Sequence, residues 1–140
     1  MRVGVVVGTF DLFHTGHLNL LINANNNCDK LIVGVNMDSV VLRDKHRSTV
    51  INENDRLAII SSIFCVDEAH LVRDNAVQFI RDLLNDGDHI DVYFRGNEDG
   101  RPEVMAENKI IESFGVQVFQ FPYTPNISTT LIRHKLSKKA

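Results

Sequence analysis

Five short runs rich in β-branched and aromatic residues, at 2–7, 30–35, 69–72, 90–94 and 116–121, alternate with segments of helical hydrophobic period. Those segments run over 17–26, 55–64, 75–84, 102–114 and 128–136. Val3-Gly4-Val5-Val6-Val7 and Leu31-Ile32-Val33 have no polar residue at alternate positions, so both faces of each strand are expected to be buried. Strands of this kind, separated by helices, call for a parallel sheet covered on both sides. The expected fold class is therefore α/β: one doubly wound domain over 1–140, with a five-stranded parallel sheet flanked by helices. Local signals agree. Asn52 can cap the helical segment that follows it, Pro102 suits a first helical turn, and Asn85-Asp86-Gly87 reads as a helix stop. No repeat, low-complexity tract or Pro/Gly linker divides the sequence.

In an open parallel sheet, ligands sit beyond the carboxyl ends of the strands, where strand order reverses. The segments expected to loop over that edge are 8–17, 36–49, 95–101 and 122–130. The net charge of −3 and pI near 6.0 give no global attraction for nucleic acid or an anionic membrane, and neither is expected as a partner. An anionic ligand must be held by local groups. The apolar start is far shorter than the roughly 20 residues of a membrane span and leads straight into a glycine turn, so it reads as a strand and not a signal peptide. Cys28 and Cys65 stand apart and outside any C-x-x-C pattern, which fits reduced thiols and a cytoplasmic location.

The loop Gly8-Thr9-Phe10-Asp11-Leu12-Phe13-His14-Thr15-Gly16-His17 carries the chemistry. It follows a strand and opens a helix, and a helix start presents unpaired N–H groups with partial positive charge to an anion. His14 and His17 lack a third ligand at a supporting spacing, so no metal site is expected. Two imidazoles on a turn can instead donate hydrogen bonds to phosphoryl oxygens, and phosphoryl and nucleotidyl transfer chiefly require charge stabilisation and alignment. Neither G-x-G-x-x-G nor G-x-x-x-x-G-K-[ST] is present. Ser128, Thr129 and Thr130 would offer hydroxyls and N–H groups at a second helix start, as caps, as phosphate ligands, or as both. Arg43-Asp44-Lys45-His46-Arg47 is either a solvated charged face or a basic loop that closes over phosphates.

His14-Thr15-Gly16-His17 resembles the H-x-G-H signature of the cytidylyltransferase-like nucleotidyltransferases. Ile127-Ser128-Thr129-Thr130-Leu131-Ile132-Arg133 resembles their second signature, I-S-T-T-x-I-[RK]. The likeness also runs through Asp55-Arg56-Leu57 and Val66-Asp67-Glu68. Among family members, the glycerol-3-phosphate cytidylyltransferases are the nearest in kind. The resemblance implies a Rossmann-like domain that transfers CMP from CTP to glycerol 3-phosphate or a related polyol phosphate, releasing pyrophosphate. His14, His17 and Lys45 would be catalytic, with Lys45 also meeting the acceptor. Gly8, Thr9, Phe10, Asp11, Gly16, Arg47, Gly96, Asn97, Ser128, Thr129 and Thr130 would bind the nucleotide. Asp11 would orient a histidine, assist the Mg²⁺ that accompanies the triphosphate, or simply form the turn. A homodimer with its interface near 66–68 is also implied, with Phe64 and Cys65 buried there or in the core.

Several positions depart from the family pattern. Gly96-Asn97-Glu98 stands where G-D-D is usual, Phe64 replaces the arginine of R-Y-V-D, and Tyr123 replaces an arginine ahead of the second signature. Asn126 stands where glycine is usual, and asparagine tolerates the left-handed backbone. Arg95, Arg101 and Arg133 are the candidates to supply the missing positive charge. Asn97 fits cytosine but leaves adenine and uracil open. The alternatives are an adenylyltransferase using ATP with a sugar phosphate or FMN, and a non-catalytic nucleotide-binding regulator.

Overall fold

The computed structural model describes residues 1–96, 101–122 and 124–139. Its elements are β1 (Val3–Gly8), α1 (Thr15–Asn26), β2 (Lys30–Asn36), α2 (Asp38–Lys45), α3 (Glu53–Ser61), β3 (Glu68–Val72), α4 (Ala76–Asn85), β4 (Val92–Gly96), α5 (Pro102–Ser113), β5 (Gln117–Phe121) and α6 (Thr129–Lys139). The strands form one parallel sheet in the order β3-β2-β1-β4-β5. The expected α/β doubly wound fold is thus the observed one.

Side chains alternate across this sheet as the pleat requires. Val6, Val33 and Phe94 pack on one face with Leu21 and Ala24 of α1 and Ile60 of α3. Val5, Ile32 and Tyr93 pack on the other with Ala76 and Ile80 of α4 and Ile111 of α5. The order reverses between β1 and β4, whose carboxyl ends are Gly8 and Gly96. The crevice is therefore flanked by two glycines.

The local signals act as expected. The Asn52 side chain accepts a hydrogen bond from Asp55 N at 2.9 Å and caps α3. Pro102 opens α5, and Gly87, with φ of 95°, follows the end of α4. Asn126 adopts φ of 65°, so the turn usually made with glycine is kept.

One feature differs from expectation. Residues 36–49 are not an open loop, because α2 occupies most of the segment. Its eight residues bury only Val40 and Val41, which are adjacent rather than a turn apart, so no helical period is visible in sequence. The helix ends at His46, which takes the left-handed conformation at φ of 56°. Of the two residues expected to be buried at an interface or in the core, Cys65 is in the core and Phe64 is 81% exposed on the single chain. Among the described residues, no helix is long and apolar enough to cross a membrane.

Candidate active site

The turn after β1 bends sharply, with Phe10 and Leu12 both at positive φ. Phe10 is buried at 3% exposure, and its ring lies so close beneath Gly8 that a Cβ there would meet it at 2.9 Å. Gly16 is required for a similar reason. A Cβ at Gly16 would stand 2.8 Å from His14 Cε1 and 2.9 Å from its Nδ1. Both glycines of the loop make room for a ring.

His14 caps α1. Its Nδ1 accepts from Gly16 N at 3.0 Å, and its own N–H donates to His17 Nδ1 at 3.3 Å. Each ring uses Nδ1 as an acceptor, so in the uncharged form the proton sits on Nε2. The two rings stack at 3.8 Å between centroids, and Phe13 stacks on the other neighbour, His17, at 5.5 Å. Burial lowers the pKa of His14. That of His17 falls to about 4, chiefly through burial and then through His14; Asp11 opposes the shift and Lys45 adds to it. At neutral pH the pair consists of two uncharged Nε2–H donors.

The start of α6 meets this pair. Thr129 Oγ1 donates to Asp11 O at 3.0 Å and lies 3.5 Å from His14 Nε2, the nitrogen that carries the proton. Ser128 Oγ accepts from Leu131 N at 3.0 Å and so caps α6. The two signature segments, more than 100 residues apart in sequence, therefore form one site.

Two chambers open around this junction. One, of about 230 Å³, is lined by His14, Gly16, Asn19, Asn23, Phe121, Pro122, Ile127 and Ser128, and among the described residues no Asp, Glu, Lys or Arg lines it. The other, of about 280 Å³, is lined by Gly8, Thr9, Phe10 and Asp11 together with Lys45, Arg47, Tyr93 and Arg95. His17, Leu20, Gly96 and Thr129 belong to both walls. An uncharged chamber and a cationic one thus share a wall bearing an imidazole and a hydroxyl.

Of the residues expected in the site that the structure describes, all but one line one chamber or the other. Thr130 is exposed on α6 and lines neither. Asn97 lies outside the described residues, as do Glu98 and Tyr123. Phe64 lines neither chamber. Of the three arginines proposed to supply charge, Arg95 lines the cationic chamber and is held by Glu107 at 3.1 Å and Asn108 at 2.6 Å. Arg133 binds Asp11 at 2.7 Å, and Arg101 pairs at 3.8 Å with exposed Glu103.

The Asp11 carboxylate accepts from Val50 N at 2.8 Å, Ile51 N at 2.9 Å and Arg133 at 2.7 Å, and none of these partners is a histidine.

Arg56 is a residue whose importance sequence reasoning missed. It is 1% exposed and donates to the carbonyls of Ile51, Thr9 and Asn36 and to Asp38 Oδ1, at 2.6 to 2.8 Å. Burial alone would raise the Asp38 pKa, but hydrogen bonds from Thr49, Arg56 and Glu53 N outweigh it and hold the pKa low. Arg56 stands one helical turn before Ile60 on the buried face of α3, and that spacing was the available signal.

The profile of the cytidylyltransferase-like family matches residues 5–135. The bifunctional protein HldE of Granulibacter bethesdensis is 34% identical over 139 residues, spanning 98% of this chain and 27% of that protein. Its counterpart in Rhodopseudomonas palustris (strain BisB5) is 31% identical over 137 residues, covering 96% and 27%. The chain thus spans about a quarter of the length of these relatives. The lipopolysaccharide core biosynthesis protein of Thermoplasma volcanium superposes with a TM-score of 0.68 at 26% identity, over 89% of this chain and 97% of that one. Thermotoga maritima TmcAL, solved with α-thio ATP, has the same fold, with a TM-score of 0.71 at 15% identity over 99% of this chain and 51% of that one.

Proposed function

The chain belongs to the cytidylyltransferase-like family, and from that premise we propose that it is a nucleotidyltransferase acting on a small phosphorylated acceptor. The observation that carries this reading is the 3.5 Å approach of His14 Nε2 to Thr129 Oγ1 at the wall between an uncharged and a cationic chamber. The uncharged chamber suits the nucleoside, because a planar base and ribose need apolar surface with a few amide and hydroxyl partners. The cationic chamber suits the acceptor phosphate, held by Lys45, Arg47 and Arg95. The α-phosphate then falls at the shared wall.

An acceptor phosphate oxygen attacks the α-phosphorus from the cationic side. The new P–O bond forms as the bond to the bridging α–β oxygen breaks, and pyrophosphate leaves with that electron pair. Charge grows on the α-phosphoryl oxygens and the leaving bridge. Fixed N–H donors aimed at such oxygens stabilise the transition state without reorganising. The Nε2–H groups of His14 and His17 fill that role. Ser128 and Thr129, at the start of α6, meet the departing phosphates. Mg²⁺ accompanying the triphosphate would supply charge neutralisation there. Among the described residues, no group of three or more His, Cys, Asp or Glu is placed to hold a metal ion.

CTP with glycerol 3-phosphate or a related polyol phosphate is the first substrate pair to test. ATP with a sugar phosphate or FMN is the second, supported by the α-thio ATP held on this fold in the Thermotoga maritima protein. Pyrophosphate release should be followed for each nucleotide, with Mg²⁺, against a panel of phosphorylated acceptors. Release that needs both nucleotide and acceptor supports transfer, and the preferred nucleotide decides between the two pairs. Tight nucleotide binding without release from any pair would overturn transfer in favour of a regulator.

A further inference from the structure

Asp11 is 4% exposed, yet its four partners come from two distant parts of the sequence, 50–51 and the first turns of α6. Oδ2 accepts from Val50 N at 2.8 Å and from Arg133 Nη2 at 2.7 Å, and Oδ1 accepts from Ile51 N at 2.9 Å. Its main-chain carbonyl accepts from Thr129 Oγ1 at 3.0 Å. Ile51 is gripped a second time, because its carbonyl accepts from Arg56 Nε at 2.8 Å. The strap from Lys45 to Ile51 is fastened at its far end to Asp11, and the helix leading into it, α2, is fastened at its first residue, Asp38, to Arg56 at 2.6 Å. Arg133 sits one turn inside α6, a helix exposed along much of its length, and fastens that helix to the same carboxylate.

We propose that Asp11 is a positioning residue that fixes the cationic strap and the start of α6 at a set distance from His14 and His17, so that acceptor and nucleotide meet in line. The inference rests on the transferase reading above. Charge-assisted hydrogen bonds to a buried carboxylate are strong and directional. One carboxylate shared by both segments makes their positions interdependent. Asparagine is nearly the same shape, but it carries no charge and only one acceptor oxygen, so either Ile51 N or the pair of Val50 N and Arg133 is left facing its NH₂ group.

The test is a double-mutant cycle of Asp11→Asn and Arg133→Met, read by initial rates of pyrophosphate release, calorimetric nucleotide binding and circular dichroism. Arg133→Met should raise the nucleotide KM about tenfold and leave the acceptor KM in place, and Arg133→Lys should restore most of the loss. Asp11→Asn should raise both KM values and lower kcat/KM by about 100-fold. Adding Arg133→Met to it should cost no more than about twofold, since the carboxylate charge that Arg133 pairs with is already gone. Independent, additive losses would overturn the proposal. So would an Asp11→Asn defect confined to kcat, or one repaired by excess Mg²⁺, which would mark a chemical or metal-binding role. If Asp11→Asn does not fold, the Arg133 pair decides: a nucleotide KM unmoved by methionine refutes the coupling. Absence of pyrophosphate release from the unaltered protein would count against the transferase reading itself; calorimetry on the same variants would still test the nucleotide arm.

Discussion

Replacing Gly16 by alanine should separate stability from catalysis. Gly16 is the second residue of α1, and no positive φ demands glycine there. Alanine is the better helix former by up to about 1 kcal/mol in a helix interior, and by less in a first turn. Its methyl group would lie 2.8 Å from His14 Cε1, where ordinary contact begins at 3.4 Å. The imidazole must therefore retreat by about 0.6 Å or rotate away from the Gly16 N–H that fixes its tautomer. A misplacement near 1 Å can cost about 100-fold in rate, so kcat should fall roughly 10- to 100-fold. The melting temperature should fall by no more than a few degrees, since the weakened His14 cap costs about 1 kcal/mol and alanine's helix preference offsets part of it. Pyrophosphate release at saturating substrates gives kcat, and a thermal melt gives stability. With His14→Ala as the background, Gly16→Ala should cost little more, because the ring it displaces is absent. A kcat within about twofold of the unaltered protein would refute the role given to the ring's position.

Three further outcomes are expected. Lys45→Ala should lower turnover by about 100-fold or more while leaving the melting temperature nearly unchanged, since Lys45 ends α2 at the surface of the cationic chamber; near-normal turnover would remove it from the machinery. Arg56→Met should destabilise the protein by about 3–5 kcal/mol, because three carbonyls and Asp38 lose their donor, and urea denaturation measures this. His17 has a folded pKa of about 4 against an ordinary value of 6.5, so the unfolded chain binds the extra proton between those limits. Its contribution is absent above pH 6.5 and destabilises progressively as pH falls toward 4, reaching about 3 kcal/mol. The stability difference between the unaltered protein and His17→Gln should follow that course, and a difference independent of pH over that range would refute it.

The parts of this protein legible in sequence are those written in short-range patterns. Strands such as Val3–Gly8 and Lys30–Asn36 announce burial on both faces, and alternation with helices then fixes a parallel sheet. The two signatures name the residues that meet at the crevice. The α2 helix was hidden because eight residues with two adjacent buried valines show no period. The structural roles of Arg56 and Asp11 are hidden for another reason: each reads locally as a surface or turn residue. Their burial depends on partners supplied from elsewhere in the chain. Asp11 meets Arg133 across 122 positions, and Arg56 meets Thr9 across 47. Such contacts exist only once the sheet has placed the strand ends side by side. A charged side chain can then be buried, because main-chain groups and an opposite charge replace the water it loses. The polar groups that hold the loops in place are therefore a product of the fold, and local periodicity finds the sheet before it can find them.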